Sequence, residues 1–308
     1  MDEQENVMET RPRKLALLYG IIIYAAAIIM LIFVGSRLQY KYGMPGLAMT
    51  ELIILAVTLL GAIVFRFDLQ AAFPIRVPTG RQVGGTIVTW MGFWGLTISI
   101  TMLLMTLIPG LLGDANESIS DFASSVSFPA RLLIMAIMPA ICEEALFRGV
   151  VQSSMERLPR WPRILLIGLL FGIMHLDPVR IPLTATLGVG LALIMVKTNN
   201  LALPMLFHFI NNALSTFATL AQEFLPATDA VVEAEVLIGV SKYGVIIACI
   251  CGLGTPFLIL AGNILLEPVR PHIPGRFADK KPQFIAAGAA SGLFVLGAVA
   301  AVVMIIAE

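Results

Sequence analysis

The sequence predicts an all-α fold: a polytopic transmembrane helical bundle of about eight to nine spans. Three observations predict it. Apolar residues make up 58% of the 308, against roughly 45–50% in soluble domains. Charged residues make up 13%, about half the usual share. The apolar residues also come in uninterrupted runs, and a spanning helix needs about 17–25 of them. The formal net charge is zero, so no basic surface for nucleic acid is expected.

The N-terminus, Met1 to Thr10, is acidic and polar. It lacks the basic start and short apolar core of a cleaved leader, so residues 1–14 read as a cytoplasmic tail before an uncleaved first span. Candidate spans follow at 15–34, 47–65, 84–109, 130–153, 163–176, 181–197, 201–220, 242–266 and 284–306. The fifth and sixth are short, and only Leu176-Asp177-Pro178-Val179-Arg180-Ile181-Pro182 divides them. Pro74, Pro78 and Gly80 mark 66–83 as a loop, and Pro268, Pro271, Pro274 and Pro282 mark 267–282 as another. Neither is long enough to be a domain. Residues 15–308 are read as one membrane domain with its chemistry at about 130–215.

Basic residues orient the bundle. With the N-terminus inside, fourteen of them fall in inner segments and five (Arg37, Lys41, Arg131, Arg180 and Lys242) in outer ones. The outer loops near 110–130 and 221–241 are acidic, and the odd span count puts Glu308 outside. The three cysteines, Cys142, Cys249 and Cys251, sit in apolar runs with neither disulfide nor zinc spacing. They read as buried small hydrophobes.

The fourth run contains Glu143, Glu144 and Arg148 within six positions. An ionisable group inside a span costs at least ~2.5–3.5 kcal/mol on insertion scales and is functional by default. Glu144 and Arg148 are four apart and share a helix face, which predicts an ion pair. Glu143 points about 100° away and is left for chemistry. Two of the three histidines also lie in apolar runs: His175 ends the fifth, and His208 lies in the seventh, four before Asn212. His272 lies in a Pro-rich loop and reads as solvated. Gly172 lies three before His175 and would let another helix approach closely.

A single membrane histidine or asparagine is as readily interhelical glue as a functional group. The joint pattern says more. A carboxylate in a low-dielectric pocket suits acid–base work on water, with His175 on the same water. His208 and Asn212 can donate hydrogen bonds to an oxyanion. Together they would hydrolyse an amide by direct attack of water. Cys142 is set aside as a nucleophile because it lies about 100° from Glu143 in an apolar span. A zinc site of Glu143, His175 and His208 is open by residue type but has no HExxH spacing, so zinc is possible but not favoured and the expectation is no cofactor. A proton-coupled transporter is disfavoured by the absence of an internal repeat.

The motifs Glu143-Glu144-Ala-Leu-Phe-Arg148, Phe171-Gly-Ile-Met-His175 and His208-Phe-Ile-Asn-Asn212 resemble those of the CAAX prenyl protease and bacteriocin-processing (CPBP, or Abi) family of intramembrane proteases. The resemblance covers about 130–215. It implies a metal-independent glutamic endopeptidase built around a conical cavity open to the cytosolic side and the bilayer. Glu143 and His175 would activate water, and His208 and Asn212 would stabilise the oxyanion. Arg148 would hold the site together through Glu144. The chain is similar to bacterial members, which implies a bacterial plasma-membrane location and a membrane-anchored peptide or protein as substrate. It does not imply a prenylated one. The alternative is a non-enzymatic immunity factor or scaffold of the same fold.

Overall fold

The computed structural model describes residues 14–108, 122, 125–224, 243–267 and 280–306. The N-terminal tail to residue 13, the acidic stretches 109–121 and 225–242, the Pro-rich stretch 268–279 with His272, and Glu308 lie outside the described residues. Within them the chain is helical and has no strand. In chain order the helices are α1 (Lys14–Met30), α2 (Ser36–Tyr42), α3 (Met44–Val64), α4 (Leu69–Ala72), α5 (Gly80–Leu107), α6 (Phe128–Leu132), α7 (Met138–Glu144), α8 (Gln152–Ser154), α9 (Arg160–Met174), α10 (Ile181–Thr198), α11 (Ala202–Phe224), α12 (Tyr243–Leu253), α13 (Thr255–Leu265) and α14 (Lys281–Ile306). Wider π-helical turns join α1 to α2 (Leu31–Gly35), α6 to α7 (Leu133–Ile137) and α7 to α8 (Ala145–Val151).

Local signals set the boundaries. Gly43 separates α2 from α3 at φ 59°, where a Cβ would be strained. Asp68 caps α4 by accepting from the backbone N–H of Gln70 and Ala71. Thr79 and Gln82 form a reciprocal capping box at the start of α5. Asn199 ends α10 in the left-handed region, a role that Asn tolerates.

Six segments are long and apolar enough to cross a membrane: Ala16–Tyr42, Met44–Val64, Gly80–Leu107, Ile181–Thr198, Gly244–Leu265 and Lys281–Val303. The chain is a multi-pass membrane protein. The six correspond to six of the nine runs read from sequence. The other three (130–153, 163–176 and 201–220) carry the candidate motifs, and two of them depart from an uninterrupted full-length helix. The first is broken by two π-helical turns. The second is α9, with 15 residues, about 22 Å long against a hydrocarbon core of about 30 Å.

α9 and α10 form a tight antiparallel pair because glycines line their crossing. A Cβ on Gly172 would sit 2.7 Å from the Ile181 carbonyl oxygen and 2.9 Å from the Ala185 Cβ. One on Gly188 would sit 3.0 Å from the Gly168 Cα. Backbone cannot yield as a side-chain tip can. Gly172→Ala is expected to cost about 1–3 kcal/mol by overpacking, read as a lower Tm in detergent. Gly288→Ala, whose Cβ meets nothing within 4 Å, is the control and should leave Tm unchanged.

α3 packs on α1 and α7, while α5 packs on α10, α11, α12 and α13. α14 packs on α12 and α13. One end of the bundle is tied by polar contacts. Arg81 donates to the Glu267 and Ile264 carbonyls at 2.7 and 2.8 Å. Lys197 (3.0 Å) and Lys280 both pair with the Glu267 carboxylate. Burial acts to raise the Glu267 carboxyl, but the two lysines outweigh it and hold the group below its usual range. Asn200 exchanges two 3.0 Å hydrogen bonds with the Arg76 backbone. Arg76, Arg81, Lys197 and Lys280 all belong to segments that the charge pattern assigns to one face.

Candidate active site

The motif segments converge on a cavity of about 250 Å³. Glu143 of α7, His175 after α9, and His208 and Asn212 of α11 all line it. Its wall also includes Glu51 of α3, Arg180, Thr184 and Asn211. A site assembled from separate helices in this way is the usual arrangement in helical bundles.

Glu144 lies behind the wall. It and Arg148 are fully buried, with side-chain exposures of 0%. Arg148 Nη1 donates to Glu144 Oε1 at 2.9 Å, and Nη2 donates to the Gly188 carbonyl at 3.0 Å. The close α9–α10 crossing presents that carbonyl. The Arg148 guanidinium also lies over the Phe171 ring at 4.7 Å and near Phe147 at 5.6 Å, a cation–π setting. Phe171 meets His175 and His208 edge-on at 5.2 and 5.6 Å. The aromatic residue four before His175 thus packs between the buried cation and both imidazoles.

The histidines have assigned faces. His175 Nδ1 is 3.0 Å from the Phe171 carbonyl oxygen. A carbonyl can only accept, so Nδ1 carries the hydrogen and Nε2 of the neutral ring carries the lone pair. His208 Nδ1 is 2.9 Å from Glu144 Oε1, so it too is the donor and Nε2 is left over. One carboxylate oxygen therefore holds both Arg148 and His208. The i, i+4 spacing predicts the Arg148 bond; the His208 bond spans 64 residues and has no local signal.

His175 reaches the cavity because α9 stops. The helix ends at Met174, and Leu176 follows with φ 54°, a conformation a non-glycine residue rarely adopts.

Pro139 accounts for the Asn212 contact. It has no N–H to give the Met135 carbonyl four residues back, and the chain there widens into the Leu133–Ile137 π-turn. Asn212 Nδ2 donates to that carbonyl at 3.0 Å, and Asn211 Nδ2 donates to Asn212 Oδ1 at 3.2 Å. One N–H of the Asn212 amide remains uncommitted, since an amide nitrogen has two. π-helical turns cluster at functional sites, and two flank Glu143.

Glu143, His175 and His208 share the cavity without closing into a metal-ligating group among the described residues. Cys142 is buried and is not on the cavity wall. The sequence reading passed over Glu51, Asn211 and Thr184, and placed Arg180 in an outer loop. For Glu51 a signal exists: it is an ionisable residue inside the 47–65 run, subject to the same rule that singled out Glu143. Its place near the start of that run makes it resemble an interfacial residue.

The chain matches no curated protein and no solved structure. A family model does match, and its span holds all three motifs and every cavity residue except those of α3. Residues 125–214 match the family described as Rce1-like, type II CAAX prenyl endopeptidase, and over that stretch the chain is similar to it.

Proposed function

We propose that this protein is an intramembrane, metal-independent glutamic endopeptidase that cuts a membrane-anchored protein or peptide. The observation that carries the reading is the convergence of Glu143, His175, His208 and Asn212, from three segments, on one cavity. Water held between Glu143 and His175 Nε2 gives a proton to the Glu143 carboxylate as its oxygen adds to the peptide carbonyl carbon. The C–N bond then breaks, and Glu143 returns that proton to the leaving amine. The oxyanion forms beside His208 Nε2 and the free N–H of Asn212. With Nδ1–H already donating to Glu144, a second hydrogen on Nε2 makes His208 an imidazolium, and Glu144 is its counter-charge. Glu144 and Arg148 thereby act by positioning. The charge pattern supports a cytoplasmic N-terminus, and the kinship of the motifs supports a bacterial plasma membrane.

The test needs no known substrate. Terminal fragments of membrane proteins are compared in cells expressing wild type and Glu143→Gln at equal abundance. Specific fragments are expected to vanish with the variant. Unchanged fragments, with a deletion phenotype still rescued by Glu143→Gln, would replace the peptidase by a binding protein of the same fold.

A further inference from the structure

The cavity holds a second carboxylate that the hydrolytic scheme does not use. Glu51 is 4% exposed and lines the cavity with Glu143. Its Oε2 is buried and has no hydrogen-bond partner among the described residues. An unpaired carboxylate away from water is costly unless something satisfies it, and the cations nearby are committed elsewhere. Arg148 is bonded to Glu144 behind the wall. Arg180, the one arginine or lysine among the wall residues, is 39% exposed and pairs with Asp177 at 3.2 Å. His208 is turned to Glu144 through Nδ1, and His175 to the Phe171 carbonyl. The cavity wall also includes Leu47, on the same helix as Glu51, and Met135 and Pro139. These offer it no side-chain donor.

From this we infer that Glu51 forms a cation subsite: it receives the ammonium or guanidinium of a lysine or arginine in the substrate, close to the bond that is cut. The apolar wall residues Leu47, Met135 and Pro139 suit the methylene stem of such a side chain, and the Glu51 carboxylate suits its head. The unpaired oxygen is then satisfied by substrate, which gives selectivity of the kind a buried polar group imposes when only one ligand completes it. This deepens the proposed peptidase reading and rests on it for the word substrate.

The experiment uses the full chain in lipid nanodiscs and a set of membrane-anchored fluorescent peptides. The peptides are identical but for one position, walked through the exposed segment, that is lysine, norleucine or glutamate. Both binding and cleavage are measured. Wild type is expected to favour lysine over norleucine by at least about tenfold at one position, in binding and, where cleaved, in kcat/KM. Glu51→Gln, near-isosteric and with an unchanged or higher Tm, should lose that preference, read as the ratio of lysine to norleucine peptide within the variant. Glu51→Lys should favour glutamate at that position. Equal handling of lysine and norleucine by wild type, or an undiminished lysine preference in Glu51→Gln, overturns the subsite. A lysine preference in binding with no cleavage of any peptide overturns the peptidase reading and leaves the subsite standing.

Discussion

Glu143→Gln is expected to slow peptide cleavage by about 10²–10⁴-fold, and adding His175→Ala to it should slow cleavage little further. Glutamine keeps the shape of the side chain and removes its ability to take a proton. If Glu143 and His175 Nε2 hold the same water, removing either disables one unit, and losses from residues that act as a unit do not add. His175→Ala alone should therefore cost a comparable factor. Both single variants should keep the fold, because Glu143 stands on the cavity wall outside the Glu144–Arg148–His208 cluster. The measurement is a double-mutant cycle on kcat at equal folded protein. Fully multiplicative losses would mean that the two residues serve different steps. Full activity in both singles would remove the water-activation mechanism altogether.

Much of this was legible in the chain because charge inside apolar sequence is costly and so carries information. Glu143, Glu144, Arg148, His175, His208 and Asn212 stand out against their runs without any structure. The Arg148–Glu144 bond follows from spacing alone. The contacts that were not legible are those between distant segments. His208 reaches Glu144 across 64 residues, and nothing in either segment names the other. Asn212 reaches Met135 because Pro139 frees a carbonyl. Pro139 is visible in sequence, but the partner of the freed oxygen is not. Counting spans was harder for a related reason. Hydropathy sees length and apolarity, whereas the chain has a helix that stops short at His175 and another widened by π-turns around Glu143. Glu51 was overlooked because a carboxylate a few residues into an apolar run looks like one at the membrane surface. Only packing tells the two apart, and it leaves Glu51 4% exposed.

Arg148→Met is expected to cost about 3–5 kcal/mol of stability, the usual result of removing one partner of a buried ion pair, and to be read first as a loss of folded protein. Glu144 has 0% exposure, one oxygen without a hydrogen-bond partner, and in the variant only His208 to balance it. The Gly188 carbonyl would lose its donor, and Phe147 and Phe171 would lose the cation they enclose. Removing the second charge as well separates fold from function. Replacing a whole buried pair by apolar side chains is often neutral or better, so Arg148→Met with Glu144→Leu should recover much of the lost Tm. It should not recover cleavage. Without Glu144 Oε1 the His208 ring loses its 2.9 Å anchor and with it the orientation that the proposed mechanism requires. A double variant that is both stable and active would show that the cluster only holds helices together. A stable and inactive one would show that the buried pair exists to aim His208.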